Sequence, residues 1–267
     1  MELLLQLILP FLFGVIIGSF LNVVALRFNT GVGLGGRSKC MSCGSVLTWK
    51  ELVPLFSFVV QKGSCKKCKS KISWQYPVVE FLAGVFFVLI FLFYPPLTIA
   101  GAVTTVIYLL SACLLLVMTI YDIKHKILPD PLVYGFAALS LLSLFVGGST
   151  LFHVPDMWQL LAGPLLALPF ALLGWLSNQT WMGLGDAKLV VGIGWLLGIF
   201  AGINALILAF WIAAALSVIW LFVTYKKFKP RTEIPFGPYL ILGMYLVLLF
   251  HVQVLDLSIL VNIFAGN

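Results

Sequence analysis

Residues 189–225, LVVGIGWLLGIFAGINALILAFWIAAALSVIWLFVTY, run from one lysine to the next without a charged side chain. A single helix over residues 187–225 would be about 58 Å long at 1.5 Å per residue, whereas the hydrocarbon core of a bilayer is only about 30 Å thick. The stretch must therefore break once. The segment Gly198-Ile199-Phe200-Ala201-Gly202 offers the break, because glycine tolerates backbone conformations that other residues avoid. We predict two consecutive membrane-spanning helices here.

The rest of the chain is similarly apolar. Of its 267 residues, 62% are hydrophobic and 9% are charged, whereas a soluble domain has about 25% charged residues. The sequence therefore predicts an all-α polytopic membrane protein with about eight transmembrane helices and a small cytoplasmic loop domain. The predicted spans are 3–26, 77–94, 97–121, 131–147, 158–177, 187–201, 203–225 and 238–260.

The positive charges predict the orientation of these spans. More than half of the 16 lysines and arginines lie in residues 27–76, and the others lie at 124–126, at Lys188 and at 226–231. With the N-terminus outside, all of these positions fall on one side of the membrane, which the positive-inside rule makes the cytoplasmic side. The same rule accounts for the formal charge of +7, so nucleic-acid binding is not expected.

This topology divides the chain into three parts. Residues 1–26 form the first transmembrane span, residues 27–76 form the cytoplasmic loop domain, and residues 77–267 form a seven-span membrane domain. The charged side chains of the membrane domain that carry chemistry are then expected at the cytoplasmic boundary of the bilayer.

Four of the five cysteines lie in the cytoplasmic loop as two Cys-x-x-Cys pairs, Cys40 with Cys43 and Cys65 with Cys68. Each pair can present two thiolates to one ion, and two pairs complete a closed, structural zinc site. Disulfides are disfavoured because the loop faces the reducing cytoplasm. A different metal, a redox role and uncoordinated thiols stay open as alternatives, but two pairs in one short loop favour zinc.

Two aspartates stand at the ends of apolar segments, where a carboxylate is costly. Asp122 follows the third span, and Asp186 precedes the sixth in the sequence Gly183-Leu184-Gly185-Asp186. Asp122 could instead pair with Lys124 or Lys126, and Asp186 could cap the start of a helix. Because the topology puts both carboxylates at the same cytoplasmic boundary, the two are able to meet.

A pair of neighbouring carboxylates has a definite chemistry. Two such groups cannot both ionise easily, so they share a proton and titrate as a pair. The ionised member can take a proton from water while the protonated member polarises a carbonyl group. Asp122 and Asp186 therefore predict an aspartic protease at the membrane, whereas Asp130, which precedes Pro131, fits a helix N-cap.

Several motifs occur in a fixed order along the chain. They are GSFLNVV (18–24) followed by Arg27, the two cysteine pairs, ISWQYPVVE (72–80), the segment 122–130 from Asp122 through LPD, GLGDAK (183–188) and EIPFGP (233–238). With these motifs the chain resembles the bacterial type IV prepilin peptidases, a family of intramembrane aspartyl proteases, over nearly its whole length.

The resemblance implies an activity, a location and a set of site residues. Members of that family cleave the basic leader of prepilins and pseudopilins after a glycine, at the cytoplasmic face of the bacterial inner membrane. Many also methylate the new N-terminal amine with S-adenosylmethionine. The catalytic aspartates of the family correspond to Asp122 and Asp186, and its zinc ligands to the four cysteines of the loop. Glu80 and Glu233 could attract the lysines of a leader, or they could form ordinary ion pairs.

Other functions remain possible at this point. A transporter would use the aspartates as ion or proton ligands, but it would place them near the middle of the bilayer. An assembly scaffold would use the zinc loop to dock a partner. A leader peptidase without methyl transfer is a third alternative, because no glycine-rich loop follows a strand as a nucleotide-type cofactor site would require. The residues that would bind S-adenosylmethionine and the oligomeric state are not predicted.

Overall fold

The computed structural model describes residues 2–31, 33–146, 152–180, 182–223 and 235–255. In this part of the chain the regular structure is helical, apart from two isolated β-bridges in the cysteine loop. The helices are α1 (Glu2–Arg27), α2 (Phe56–Val60), α3 (Gln75–Phe93), α4 (Ile99–His125), α5 (Asp130–Leu144), α6 (Met157–Leu176), α7 (Leu184–Leu197), α8 (Ile199–Val223) and α9 (Gly237–Phe250).

Each of the eight predicted spans corresponds to a helix. Five helices, α1, α3, α4, α6 and α8, are long and apolar enough to cross a membrane. The other three, α5, α7 and α9, have 15, 14 and 14 residues and are therefore only about 21–23 Å long. The all-α polytopic architecture is confirmed, whereas eight complete crossings stay a prediction.

The break in the uncharged stretch lies where the sequence indicated. α7 ends at Leu197, Gly198 adopts a positive φ of 78°, and α8 begins at Ile199. Glycine reaches this conformation without steric cost. The last helix is shorter than expected: α9 ends at Phe250, where His251 takes a left-handed conformation, whereas the predicted span continued to residue 260.

The chain forms two compact units. The first comprises Met1–Pro95 with Tyr108–Val117, and the second comprises Pro96–Ile107 with Met118–Asn267. These units are defined by packing, whereas the predicted parts 1–26, 27–76 and 77–267 are defined by membrane topology. That division stays a prediction.

In the first unit, α1 packs closely against α3. A Cβ atom on Gly14 would lie 2.8 Å from the Cα of Gly84, and one on Gly18 would lie 2.9 Å from the Cα of Glu80. Gly14 and Gly18 are four residues apart and so lie on one face of α1. Small residues at this spacing let two membrane helices approach until their backbones touch, which explains why these positions lack side chains.

In the second unit, α7 is the central helix, because it packs against both α5 and α6. A Cβ atom on Gly192 would lie 2.6 Å from the ring of Phe136 in α5, and one on Gly194 would lie 2.6 Å from the Cα of Gly163 in α6. The side chain of Ile193 between these glycines is fully buried. α7 is therefore firmly held, and so is the aspartate in its first turn.

Candidate active site and metal centre

The two cysteine pairs form two turns with the same hydrogen-bond pattern. In the first, Cys40 N–H donates to Ser45 O and Gly44 N–H donates to Cys40 O, each at 2.9 Å. In the second, Cys65 N–H donates to Ser70 O and Lys69 N–H donates to Cys65 O, also at 2.9 Å.

The residue after each pair takes a positive φ, 67° at Gly44 and 58° at Lys69. The β-bridges repeat as well, since Lys39 pairs with Val46 and Ser64 pairs with Lys71. The loop is thus built from two copies of one thiolate-presenting turn.

The two turns bring the four sulfur atoms together. All four Sγ atoms lie within 4.8 Å of one another, and the Sγ atoms of Cys40 and Cys68 are 3.8 Å apart. A tetrahedral zinc ion with bonds of about 2.3 Å separates its sulfur ligands by about 3.8 Å. The cluster therefore fits a metal ion of this size and geometry.

The surroundings of two of the four thiols also favour metal binding. Hydrogen bonds from the backbone of Cys43 and Ser42 lower the pKa of the Cys40 thiol to about 6. The hydroxyl and the backbone of Ser70 lower the pKa of the Cys68 thiol. Because a thiolate is the form that binds metals, these two cysteines lose their protons and bind a metal more readily than ordinary thiols do.

Asp122 lies near the end of α4 and is almost completely buried, with 4% of its surface exposed. Its Oδ2 atom accepts a hydrogen bond of 3.1 Å from the backbone N–H of Gly237, the first residue of α9. Asp122 therefore makes a buried contact with another helix, whereas the ion pair with Lys124 or Lys126 considered above assumed an aspartate at the surface. A hydrogen bond to a carboxylate stabilises its ionised form.

Asp186 is the third residue of α7 and precedes the apolar part of that helix. Burial raises the pKa of its carboxyl group to about 7, and the negative charge of Asp122 raises it further in the same direction. The two aspartates are therefore close enough to influence each other. Gly183, and not Asp186, occupies the N-cap position of α7, so the capping alternative for Asp186 is wrong.

A buried leucine, Leu128, packs against the starts of α7 and α9. A Cβ atom on Gly185 would lie 3.2 Å from Leu128 Cβ, and one on Gly237 would lie 3.2 Å from Leu128 Cδ2. The same atom on Gly237 would lie 2.6 Å from Asp122 Oδ2. Leu128 thus lies between the start of α7 and the start of α9, and only glycine fits at position 237.

The start of α7 is also tied to the start of α5. The ammonium group of Lys188 lies 2.7 Å from Asp130 Oδ1 and 5.2 Å from the centre of the Tyr134 ring. Pro129 occupies the N-cap position of α5 and no side chain caps that helix, so the prediction that Asp130 is a cap is wrong. Its carboxylate instead joins the first turn of α5 to the turn that carries Asp186.

Of the two glutamates considered as contacts for a basic peptide, the structure describes only Glu80. Glu80 is buried, and its Oε2 atom accepts a hydrogen bond of 2.7 Å from Leu55 N–H. Its carboxylate therefore holds the cysteine loop against α3 and is not displayed to a peptide. Glu233 lies outside the described residues.

Sequence reasoning did not give roles to Gly237 and Leu128. Gly237 contributes a backbone N–H, which leaves no signal in the type of its side chain, although a glycine between Phe236 and Pro238 marks a special backbone position. Leu128 acts through its volume, and one leucine does not stand out in an apolar chain that contains many leucines. Both residues belong to motifs that carried the family resemblance.

Two family models match the chain. The model described as "Bacterial Peptidase A24 N-terminal domain" matches residues 12–94, and the model described as "Type IV leader peptidase family" matches residues 108–219. No solved structure matches the chain.

Curated relatives cover most of the chain. An Escherichia coli protein named type 4 prepilin-like proteins leader peptide-processing enzyme is 30% identical over 86% of this chain and 88% of its own length. A prepilin leader peptidase/N-methyltransferase of Aeromonas hydrophila is 32% identical over 90% of this chain and 89% of its own length. A Bacillus subtilis protein of the same name is 28% identical over 93% and 96%. The chain belongs to the type IV leader peptidase family.

Proposed function

We propose that this chain is an intramembrane aspartic endopeptidase that cleaves the leader of type IV prepilins or pseudopilins, with Asp122 and Asp186 as its catalytic pair. The observation that carries the proposal is the contrast between the two carboxyl groups. Burial makes ionisation costly at both groups, but Asp122 accepts a hydrogen bond from the Gly237 N–H, which favours its ionised form, and its charge adds to burial in raising the pKa of Asp186 to about 7. One carboxylate and one carboxylic acid at neutral pH are what peptide hydrolysis requires.

The contrast also suggests which aspartate performs which step. Asp122, the ionised member, takes a proton from a water molecule as the water oxygen attacks the carbonyl carbon of the scissile peptide bond. Asp186, the protonated member, donates its proton to the carbonyl oxygen. When the tetrahedral intermediate collapses, the C–N bond breaks, the amine leaves with the proton that Asp122 holds, and Asp186 recovers its own proton from the hydroxyl group.

The proposal places the pair at the cytoplasmic face of a bacterial inner membrane. Support comes from the positive-inside distribution of lysines and arginines and from the names of the relatives. A basic leader stays in the cytoplasm while the apolar helix that follows it lies in the bilayer. The peptide bond between the two then arrives at the membrane boundary where Asp122 and Asp186 are expected.

The metal of the cysteine cluster is proposed to be zinc with a structural role. Four thiolates complete its tetrahedral coordination and leave no position open for a water molecule or a substrate. The residues that hold it are Cys40, Cys43, Cys65 and Cys68. A loop of this size cannot form a large apolar core, so the metal supplies much of its stability.

Methyl transfer is the second reaction that we propose for this chain. The names of the Aeromonas hydrophila and Bacillus subtilis relatives include an N-methyltransferase activity, so we propose that S-adenosylmethionine donates a methyl group to the amine that cleavage releases. No residue is assigned to this step.

The test is the cleavage of a model prepilin that has a basic leader, a glycine before the junction and an apolar helix after it. Asp122→Asn and Asp186→Asn should each lower kcat by about 10²–10⁴-fold, the range that general acid–base groups contribute. Asp156→Asn is the matched control, since Asp156 is an exposed residue at the N-cap position of α6, where asparagine is as favourable as aspartate. Cleavage that survives either of the first two substitutions removes that residue from the pair, and an inactive, folded wild type returns the transporter and scaffold functions to consideration.

A further inference from the structure

The cysteine loop contains an apolar segment that neither the metal nor the aspartates explain. Residues 52–60, LVPLFSFVV, contain no charged side chain, although this loop is the most basic part of the chain. They end in the short helix α2. We call residues 52–60 the apolar segment.

The apolar segment turns most of its side chains outward. Phe56 is 64% exposed and Val59 is 72% exposed, and Leu52, Val53 and Val60 are exposed as well. Phe58 is partly buried, and its ring packs 5.0 Å from the ring of the exposed Trp74. A surface of this composition is costly in water, because each apolar side chain there forgoes the free energy of burial.

The apolar segment is fixed to a membrane helix at a definite level. Leu55 N–H donates a hydrogen bond of 2.7 Å to Glu80, a buried residue of α3. α3 begins at Gln75, so Glu80 lies about 7.5 Å along the helix axis from its first residue. An interfacial helix typically inserts about 5–10 Å into the boundary between headgroups and acyl chains. With α3 entering the bilayer at its first residue, the attachment point lies at the depth of an interfacial segment.

The start of α3 has the features of a membrane interface. Trp74, directly before α3, is 72% exposed, and tryptophan is enriched at the level of the headgroups. The last lysine before it is Lys71, and α3 carries no basic residue. Val78 and Phe81 of α3 are exposed as well, and the apolar segment is joined to this end of α3 by the packing of Phe58 against Trp74.

Basic residues flank the apolar segment on both sides. Lys50 precedes it and Lys62 follows it, and the nearest acidic residue of the loop is Glu51. Lysines beside an inserted apolar stretch are able to reach the anionic headgroups of the leaflet. The same positive charge repels a basic peptide, so the loop is poorly suited to bind the leader that the proposed function assigns to this protein.

We propose that the apolar segment, residues 52–60, inserts into the cytoplasmic leaflet and anchors the metal-binding loop to the lipid surface. The occupant of its exposed face is lipid, with acyl chains against Phe56 and Val59 and anionic headgroups near Lys50 and Lys62. The anchor fixes the loop at the level of the second turn of α3. This property does not depend on the proposed peptidase activity.

The experiment uses p-benzoylphenylalanine, a photo-crosslinking residue, in place of Val59 in the full-length protein. The protein is reconstituted in vesicles of phosphatidylethanolamine and phosphatidylglycerol and irradiated, and the products are identified by mass spectrometry. The matched control places the same residue at Met41, which is 82% exposed but lies between two metal ligands.

The expected result is a phospholipid adduct as the main product at position 59 and no phospholipid adduct at position 41. A product of twice the protein mass at position 59 would instead show that a second copy covers the segment. Crosslinking to an added prepilin at position 59 would show that the substrate covers it. An absence of any adduct at position 59 would mean that the segment faces water, and each of these three outcomes overturns the proposal.

Discussion

The two aspartates are chemically alike but differ in their surroundings. Burial acts against ionisation of both, but Asp122 accepts a hydrogen bond from the N–H at the start of α9, and its charge further raises the pKa of Asp186. Such a difference separates the roles of two equal groups, because the proton goes to the carboxyl group whose ionised form is less stabilised. The state with Asp186 protonated is thus the active one in our proposal.

The pH dependence of cleavage follows from the pKa of Asp186, which is raised to about 7. Below that value Asp186 keeps the proton that it donates to the substrate carbonyl, and above it the proton is lost. We expect kcat/KM to fall by about tenfold per pH unit on the alkaline side. The charged groups around Asp186 are Asp122 and, two residues further along α7, Lys188, whose charge is paired with Asp130. The measurement is kcat/KM from pH 5 to pH 9, and a rate that stays constant above pH 7 would contradict the assignment.

The sequence was sufficient to select the side chains of the candidate site but not their partners. Asp122 and Asp186 stand out because charge is rare in this chain, and the cysteines stand out because of their spacing. The geometry adds Gly237, which contributes a backbone N–H. Almost every residue type has this group, so the sequence could not reveal the role. The wrong assignment of Asp130 has a similar origin, since a residue before proline fits an N-cap locally but is bonded here to Lys188 of another helix.

At the scale of elements, the N-terminus of α9 stabilises the ionised form of Asp122. The first N–H groups of a helix have no partner within the helix, and the N-terminal end carries a partial positive charge. Gly237 is the first residue of α9 and directs such a group at the carboxylate. Its lack of a side chain allows the close approach.

The substitution Gly237→Ala tests this contact. The added Cβ atom would lie 2.6 Å from Asp122 Oδ2, so the carboxylate or the helix must move by roughly 1 Å. A shift of that size at a reacting group can cost about 10²-fold in rate, and we expect kcat to fall by about that factor while KM changes little. Steady-state kinetics on the model prepilin would measure both constants.

Gly243→Ala is the matched control for Gly237→Ala. Gly243 lies in the same helix and packs against the backbone oxygen of Ala205 in α8, so an alanine there also strains α9. It does not touch Asp122. Equal losses of kcat in the two variants would mean that α9 is merely destabilised, and the proposed positioning of Asp122 would be abandoned.

The helices themselves were largely predictable, because membrane spans depend on long apolar stretches. The glycine break at Gly198 was predictable for the same reason, since an uncharged stretch of that length cannot cross a bilayer as one straight helix. The helix ends were less accurate. α9 ends at Phe250 and not at 260, because His251 takes a left-handed conformation. Apolar residues continue after His251 in the sequence, so hydropathy alone predicted a longer helix.

At the scale of the whole molecule, the candidate metal ligands and the candidate catalytic pair belong to different compact units. The four cysteines lie in Met1–Pro95, and both aspartates lie in Met118–Asn267. The two family models divide the chain in a similar way, at 12–94 and 108–219. The sequence did not indicate that Tyr108–Val117 of α4 clusters with the first unit, because the span is apolar throughout and carries no boundary signal.

This separation leads to a prediction about the metal. A tetrathiolate site with four protein ligands has no open position at which to activate water, and the proposed chemistry needs only Asp122 and Asp186. Replacing zinc with cobalt(II), which accepts the same tetrahedral ligands, should therefore leave kcat for the model prepilin within about twofold of the zinc form, since an ion that takes no part in the reaction adds nothing to the barrier. Cobalt–thiolate absorption bands would verify that the metal occupies the cysteine site, and Cys68→Ser would weaken those bands if Cys68 is a ligand. A kcat that follows the identity of the metal would show that the ion takes part in catalysis, and the aspartates alone would then no longer account for the reaction.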